Sequence, residues 1–461
     1  MTVKYINKMD ISAHYISDSD SGSRMRKAAL RLKGNTREDQ ESTHIIFLLD
    51  TSGSMDEDNK LATCKKSLSF VLELMRDTDA ASIVTFEDNA SVIIKCMETT
   101  PENKVRILSR IDSIITGGCT NMSAGLIEAK SLIEPETSVR KQGIVLLTDG
   151  VANLGVWEPE KLFEVVRNVI GGRDSLTVNT VGYGLSHNID LLSKISDWTS
   201  GTYSVVNSLE HVATVFGSIL GSMVSTTAQT VKLLLPPSYK MITKLPCDTS
   251  PTSTIVRVGD IQSEVSQIIL FEVDTQVNLP FRVTGYNLLN HSLIEHFVSV
   301  GPVPAMSDED RVSLEFAFLR MEVVSLITEI RTTLDSAGPH ATAEEKASFL
   351  EKIAQLNLRL DAADDSLSSI TSVMKTDLSM LERALNGLGH VAYTDLGLLS
   401  QHAGVYSSGR GMTSVGGGPG PDDDHPTAPP DVIASPMISR SARRYASILR
   451  NRSQNSDDPA V

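Results

Sequence analysis

No stretch of this 461-residue chain approaches about 18 uninterrupted apolar residues, so a membrane-spanning helix is not expected. The opening MTVKYINKMDISAHYISDSD holds no apolar core of a signal peptide. Cysteine is scarce. Cys64, Cys96, Cys119 and Cys247 are the four in the chain. None stands in CxxC spacing, which argues against a structural zinc site. Without a signal sequence, four cysteines read as reduced thiols in a cytoplasmic or nuclear protein that is not secreted. Basic residues are outnumbered, 42 Lys+Arg against 57 Asp+Glu, for a net charge of −15. A chain with that balance lacks the basic face that neutralises phosphates, so no nucleic-acid partner is expected. What is present is enough apolar material, 41% of residues, to build a sizeable core. At roughly 150 residues per domain, the length predicts two to four units.

Residues 1–42 open with alternation: Val3, Tyr5, Ile11, Ala13 and Tyr15 sit among polar residues, as in a half-buried strand or two. The charged stretch 17–34 is read as a strand followed by a loop. From residue 43 the pattern changes. Ile45–Leu49 and Ile144–Leu147 are short, wholly apolar runs, typical of strands covered on both faces. Ala81–Phe86, Ala90–Ile94, Leu176–Val181 and Thr202–Val206 are further strands. Between them lie amphipathic helical stretches, the first with Leu61, Cys64, Leu68, Val71 and Leu72 near a 3.6 period, the last at 208–224. Strands alternating with helices predict an α/β domain over 43–226, a doubly wound, mostly parallel sheet. Residues 227–303 show only short strands separated by Pro, Asp and Ser turns, as in a β-sandwich. This sandwich borrows the strands of 1–42, so the α/β domain is inserted in it. Residues 304–402 carry three amphipathic helices and predict a small bundle. The first begins at Ser307-Asp308-Glu309-Asp310, the second at Thr342-Ala343-Glu344-Glu345, and Gly338-Pro339 separates them. After 403 the chain turns to GGGPGP and Asp422-Asp423-Asp424, which predicts a disordered tail, 403–461, with an Arg-rich end.

The strongest chemical signal stands where the first buried strand ends: Asp50-Thr51-Ser52-Gly53-Ser54. A carboxylate followed by hydroxyls at +2 and +4 can present three oxygens to one side of a tight loop. Such oxygens are hard ligands and suit Mg²⁺. Gly117-Gly118-Cys119-Thr120 delivers a hydroxyl just before a helix, and the strand ending at Thr148 is followed by Asp149-Gly150. In open α/β sheets ligands bind outside the carboxyl ends of strands, where all three elements are expected to lie.

These motifs resemble the metal-ion-dependent adhesion site of von Willebrand factor A domains. The resemblance covers 43–226, about 40% of the chain. It implies that Asp50, Ser52, Ser54, Thr120 and Asp149 hold Mg²⁺, with Mn²⁺ or Ca²⁺ as alternatives, directly or through water. The flanking layout resembles the larger group in which this domain precedes a Vwaint-type helical region. Some plant members of that group carry a RING finger and are ubiquitin ligases, but this sequence has no Cys/His cluster of RING spacing. So few anionic ligands leave the ion electrophilic, and an Asp or Glu of a partner protein would complete its shell. The expected function is a non-enzymatic, Mg²⁺-dependent protein-binding module. The alternative is a scaffold subunit of a larger intracellular assembly, ubiquitin-pathway or ATPase-associated, in which the metal is secondary. A haloacid-dehalogenase-type phosphatase needs a second carboxylate at +2, where Ser52 stands. A serine hydrolase needs a nucleophile elbow, which is not found. Asp56, Glu57 and Asp58 read as a solvated helix start, Cys119 as a small packed residue, and His44 and His187 as element-end residues rather than ligands.

Overall fold

A computed structural model describes residues 9–16, 24–35, 42–135, 140–171, 175–183, 187–206, 209–263, 265–302, 308–337, 342–363 and 368–386. The described residues divide into two units, one of those up to Asn35 and from Val231 to Asn386, the other of those between them, up to Thr230. The first strands are β1 (Asp10–Tyr15) and β2 (Met25–Lys33). The inserted unit then begins with β3 (Thr43–Asp50), β4 (Ala80–Phe86) and β5 (Ala90–Glu98), and continues with β6 (Lys141–Thr148), β7 (Thr177–Tyr183) and β8 (Tyr203–Val206). Its sheet has the order β5-β4-β3-β6-β7-β8. All neighbours are parallel except β4 and β5. Every residue of β3 is buried, as helices on both faces require. Ile45, Phe47 and Leu49 pack with Leu68 and Val71 of α1 (Lys60–Leu74), Ile107 of α2 (Pro101–Asp112) and Phe216 of α6 (Leu209–Ser225). Helices α3 (Met122–Lys130), α4 (Pro159–Ile170) and α5 (Ile189–Trp198) complete this unit.

This topology decides where a ligand can sit. The chain leaves β3 toward β4 on one side and returns to β6 on the other. The direction of winding reverses between β3 and β6, which leaves a crevice outside their carboxyl ends. β3 ends in Asp50, and β6 is followed by Asp149.

The other unit is antiparallel. Its two sheets have the orders β1-β2-β13-β10 and β11-β12-β9-β14-β15. Their strands are β9 (Thr226–Leu235), β10 (Tyr239–Met241), β11 (Cys247–Thr249), β12 (Thr254–Gln262), β13 (Ser266–Asp274), β14 (Phe281–Asn287) and β15 (Ser292–Val298). Tyr239 and Phe271 of one sheet meet Phe281 of the other, ring centroids 5.4 and 5.8 Å apart in edge-to-face geometry. β2 pairs with β13 along its whole length, from Lys33↔Ser266 to Met25↔Asp274. The α/β unit is thus an insertion between strands of one sheet. Helices α7 (Asp308–Ala337), α8 (Ala343–Asp361) and α9 (Ser368–Asn386) share a core of Val323, Ile327, Ile353, Leu378 and Leu381 with Leu270 of β13. Thr342 and Glu345 close a reciprocal capping box at the start of α8.

Several expectations change in detail. The charged stretch before residue 34 contains a nine-residue strand, whose inward Ala28, Leu30 and Leu32 alternate with outward Lys27, Arg31 and Lys33. β10, β11 and β14 go unmarked in the sequence. The first two have three residues each, and Gly285 with Asn287 breaks the apolar signal of the third. The last strand of this region runs from Ser292 to Val298. Ser307, Gly338-Pro339 and the tail 403–461 lie outside the described residues. Among those described, no helix is long and apolar enough to cross a membrane.

Because β2 fills the flank of β13, deleting residues 1–42 strips that strand of its neighbour. We expect the truncated chain to be insoluble or to melt far below the full chain. A segment limited to 43–230 should melt cooperatively on its own. Circular dichroism melts with size-exclusion chromatography check both.

Candidate functional site

β3 delivers Asp50 to the crevice with no exposed surface, and Thr51, Ser52, Thr120 and Asp149 are nearly as buried. A carboxylate removed from water needs donors, and two are supplied. Ser52 N–H donates to Asp50 Oδ1 at 2.9 Å, and Thr148 Oγ1 donates to Asp50 Oδ2 at 2.5 Å. The register Leu49↔Leu147 puts Thr148 level with Asp50 on the neighbouring strand. Burial pushes the Asp50 carboxyl above its ordinary 3.8, against the opposing pull of those hydrogen bonds.

The loop after Asp50 is pinned on both sides. Thr51 N–H donates to the carbonyl of Phe86, Gly53 N–H to Gly118, and Gly117 N–H to Thr51. Met55 is driven fully into the core. Ser52 and Ser54 are thereby turned together, their Oγ atoms 3.2 Å apart, and Ser54 donates to Asp149 Oδ1 at 2.8 Å. The Thr120 loop is strapped to the loop after Asp149. Thr120 N–H donates to Asn153 Oδ1 at 2.8 Å, and Asn153 N–H returns to the Thr120 carbonyl at 3.1 Å. Gly150 is the meeting point, since a Cβ there would lie 3.3 Å from Thr120 Oγ1 and 3.7 Å from Ser54 Oγ. All five sequence-nominated residues therefore converge on one side of the crevice.

Three contributors were not nominated. Thr148 and Asn153 orient Asp50 and Thr120. The third is Lys60, whose Nζ lies 2.7 Å from Asp149 Oδ2 and 3.4 Å from the Ser54 carbonyl. Asp58 and Asn59, with φ of 50° and 55°, both adopt left-handed backbone and bend the chain so that α1 starts at Lys60 beside Asp149. Burial works to lower the Lys60 ammonium's pKa, but the hydrogen bond and charge of Asp149, with Glu57 and Asp58, outweigh it and hold it above its ordinary value. Asp56, Glu57 and Asp58 are exposed, as a solvated start requires. Cys119 is a correction. It is exposed, because Gly118, at φ 68°, turns the chain outward and Asp88 Oδ1 captures the Cys119 N–H at 2.7 Å. The charge of Asp88 raises its thiol pKa.

An α/β domain with hydroxyl and carboxylate oxygens gathered at the switch point of its sheet is the class this geometry defines. Residues 45–151 match the family model of the von Willebrand factor type A domain, so the chain carries such a domain. In sequence the chain is 30% identical over 211 residues to the uncharacterized protein YfbK of Escherichia coli, covering 45% of this chain and 36% of YfbK. It is 32% identical over 162 residues to human inter-alpha-trypsin inhibitor heavy chain H3, covering 33% of this chain and 18% of that protein. The chain thus spans about a third or less of the length of these relatives. In structure it is similar to a von Willebrand factor type A protein from Catenulispora acidiphila, with a TM-score of 0.59 at 15% identity, covering 82% of this chain and 90% of that one. It is also similar to the ArnB paralog VWA2 of Sulfolobus acidocaldarius, with a TM-score of 0.53 at 14% identity, covering 82% and 97%. These likenesses extend the shared fold beyond the inserted unit.

The raised Asp50 pKa has a stability consequence with a definite sign. A folded-state value above the unfolded one means that the folded protein loses stability as pH rises from 3.8 through that raised value. In chelator, Asp50→Asn should therefore melt several degrees above the unsubstituted chain at neutral pH. The difference should vanish near pH 3, where Asp50 is protonated in both states. Thermal melts across that range check it.

Proposed function

We propose that the domain is a Mg²⁺-dependent protein-binding module, not an enzyme, that captures an acidic side chain of a partner protein. The observation that carries this reading is the convergence at the switch point of Asp50, Ser52, Ser54 and Asp149, linked by hydrogen bonds, with Thr120, which meets Ser54 beside Gly150. Every donor in the set is an oxygen, two of them carboxylates and three hydroxyls, which is the hard, weakly anionic shell that suits Mg²⁺, with Mn²⁺ or Ca²⁺ as alternatives. The missing Cβ of Gly150 leaves room beside two of the hydroxyls. The ion supplies a positive charge with coordination left over for an outside carboxylate. The chain's own residues do the remaining work. Thr148 and the Ser52 N–H fix Asp50, Asn153 fixes Thr120, and Lys60 balances Asp149.

The rim says more about the partner. Ile115, Val151, Leu154 and Trp157 stand on the loops that carry Thr120 and Asp149, and all four are exposed. The Leu154 N–H is tied to the Thr120 carbonyl, and the Val156 N–H to Ser123 Oγ. Exposed apolar side chains around a polar centre are the usual make-up of a binding surface. The fitting partner presents an Asp or Glu flanked by apolar residues.

Two outcomes check this reading. An acidic partner peptide should bind in Mg²⁺, and its amide version should not. Chelator, or Asp50→Ala in a folded chain, should abolish the binding. A partner that binds equally with acid or amide, and with or without Mg²⁺, would sink metal-mediated recognition and favour the scaffold-subunit reading. Separately, Lys60→Gln should bind Mg²⁺ roughly tenfold more tightly, because an ammonium beside Asp149 competes with a dication for the same oxygens. Calorimetric titration measures it.

A further inference from the structure

At the opposite edge of the same sheet lies a second cluster of ligating side chains. His44 stands at the amino end of β3, Cys96 near the carboxyl end of the antiparallel β5, and Glu134 between α3 and β6. One ligand atom from each lies within 4.8 Å of the other two. Cys96 Sγ donates to Glu134 Oε1 at 3.0 Å, and His44 Nδ1 is 3.9 Å from the same oxygen. His44 is completely buried, yet its Nδ1 has no hydrogen-bond partner. A buried ring nitrogen left without a partner is costly and needs an explanation.

The backbone is bent to assemble this group. β5 carries extra residues against β4, and the register slips at Ala81/Ile83 and Ile83/Val84. Within that bulge Cys96 adopts φ 37°, left-handed backbone that a side-chain-bearing residue rarely takes. Bulges re-aim side chains, and strained residues of this kind persist where the surroundings over-determine them. Ser82 is the over-determining neighbour. Its Oγ accepts the Cys96 N–H at 2.8 Å and lies 2.9 Å from His44 Nε2. One fully buried hydroxyl thus holds both the Cys96 backbone and the His44 imidazole. With Nε2–H donating to Ser82, Nδ1 presents its lone pair to the cluster. Holding the far nitrogen of a ligand histidine in this way is the usual support of a metal site.

We propose that His44 Nδ1, Cys96 Sγ and a Glu134 oxygen form a zinc site, independent of the oxygen-lined one. One nitrogen, one sulfur and one oxygen suit a borderline ion that accepts all three donor types. An ion at about 2.0–2.3 Å from each donor requires donors about 3.5 Å apart, and the observed 3.0 and 3.9 Å bracket that spacing. Binding exchanges the thiol proton for the metal, so Cys96 ligates as thiolate and one proton leaves to solvent. Cys96 and Glu134 are partly exposed, which leaves an entry path and a fourth position for water or a further ligand. Arg140 is the competing cation, with Nη1 3.6 Å from Glu134 Oε1, but it is also paired with Glu98 at 2.7 Å, so it has a carboxylate to keep. The ion would tie the edge strand β5 to the central β3 and to the connection entering β6.

The test uses the full chain, stripped by chelator and titrated with Zn²⁺, or with Co²⁺ as its spectroscopic stand-in. One equivalent of Co²⁺ should produce a thiolate-to-cobalt charge-transfer absorption. That absorption should persist in Asp50→Ala and in the Cys119→Ser/Cys247→Ser double variant. It should vanish in Cys96→Ser, and Ser82→Ala should weaken Co²⁺ binding about 10–100-fold. Zn²⁺ should also slow alkylation of Cys96 in the unsubstituted chain without slowing that of Cys247, which requires no variant to fold. The proposal is overturned if Co²⁺ gives no thiolate absorption, if the absorption survives Cys96→Ser, or if Zn²⁺ leaves the Cys96 alkylation rate unchanged.

Discussion

A carboxylate at the end of a strand covered on both faces must be held by donors or be driven neutral. Removing it from water costs several kcal/mol, on the order of what a whole domain has to spare. Asp50 is in that position, and the arrangement around it follows from the need to hold it. Thr148 reaches it only because β3 and β6 are neighbours in a register that sets the two residues level. Ser52 reaches it only because the chain turns back through its own N–H. That turn brings Ser52 and Ser54 side by side and sends Met55 into the core as an anchor. Support of a buried charge and presentation of two hydroxyls are therefore one structural event.

How much of this was legible in the sequence follows from the length scale of each interaction. Strands covered on both faces read as apolar runs, so β3 and β6 were visible, and their ends named Asp50 and Asp149. The hydroxyls two and four residues past Asp50 were equally local. Lys60 was not, because its approach to Asp149 depends on two consecutive left-handed residues, Asp58 and Asn59, that carry no glycine to announce them. Thr148 and Asn153 act across strands and between loops, and such pairings have no spacing to read. The strand expected within 17–34 was there, but the charged outward face of β2 masked the alternation of Ala28, Leu30 and Leu32 and so its bounds.

The thiol and imidazole at the far edge show the limit most clearly. No CxxC spacing exists, and from that the sequence argued against structural zinc. His44, Cys96 and Glu134 are brought together by a bulge and by three separate elements, with Ser82 as the common support. A donor set dispersed in this way has no motif, and only the fold assembles it.

The pairing of β2 with β13 also sets a schedule for the nascent chain. Arg31 Nε donates to Ser266 Oγ across 235 residues, so β2 leaves the ribosome long before its neighbour exists. At about 5–20 residues per second, the wait is on the order of ten to fifty seconds. During that interval the inserted domain can be completed, while β2 has β1 on one side and an open edge where β13 will pair. An open strand edge of that kind invites association with other chains. The cationic outward face of β2, with Lys27, Arg31 and Lys33, makes two such strands repel each other and so guards the chain while it is being made.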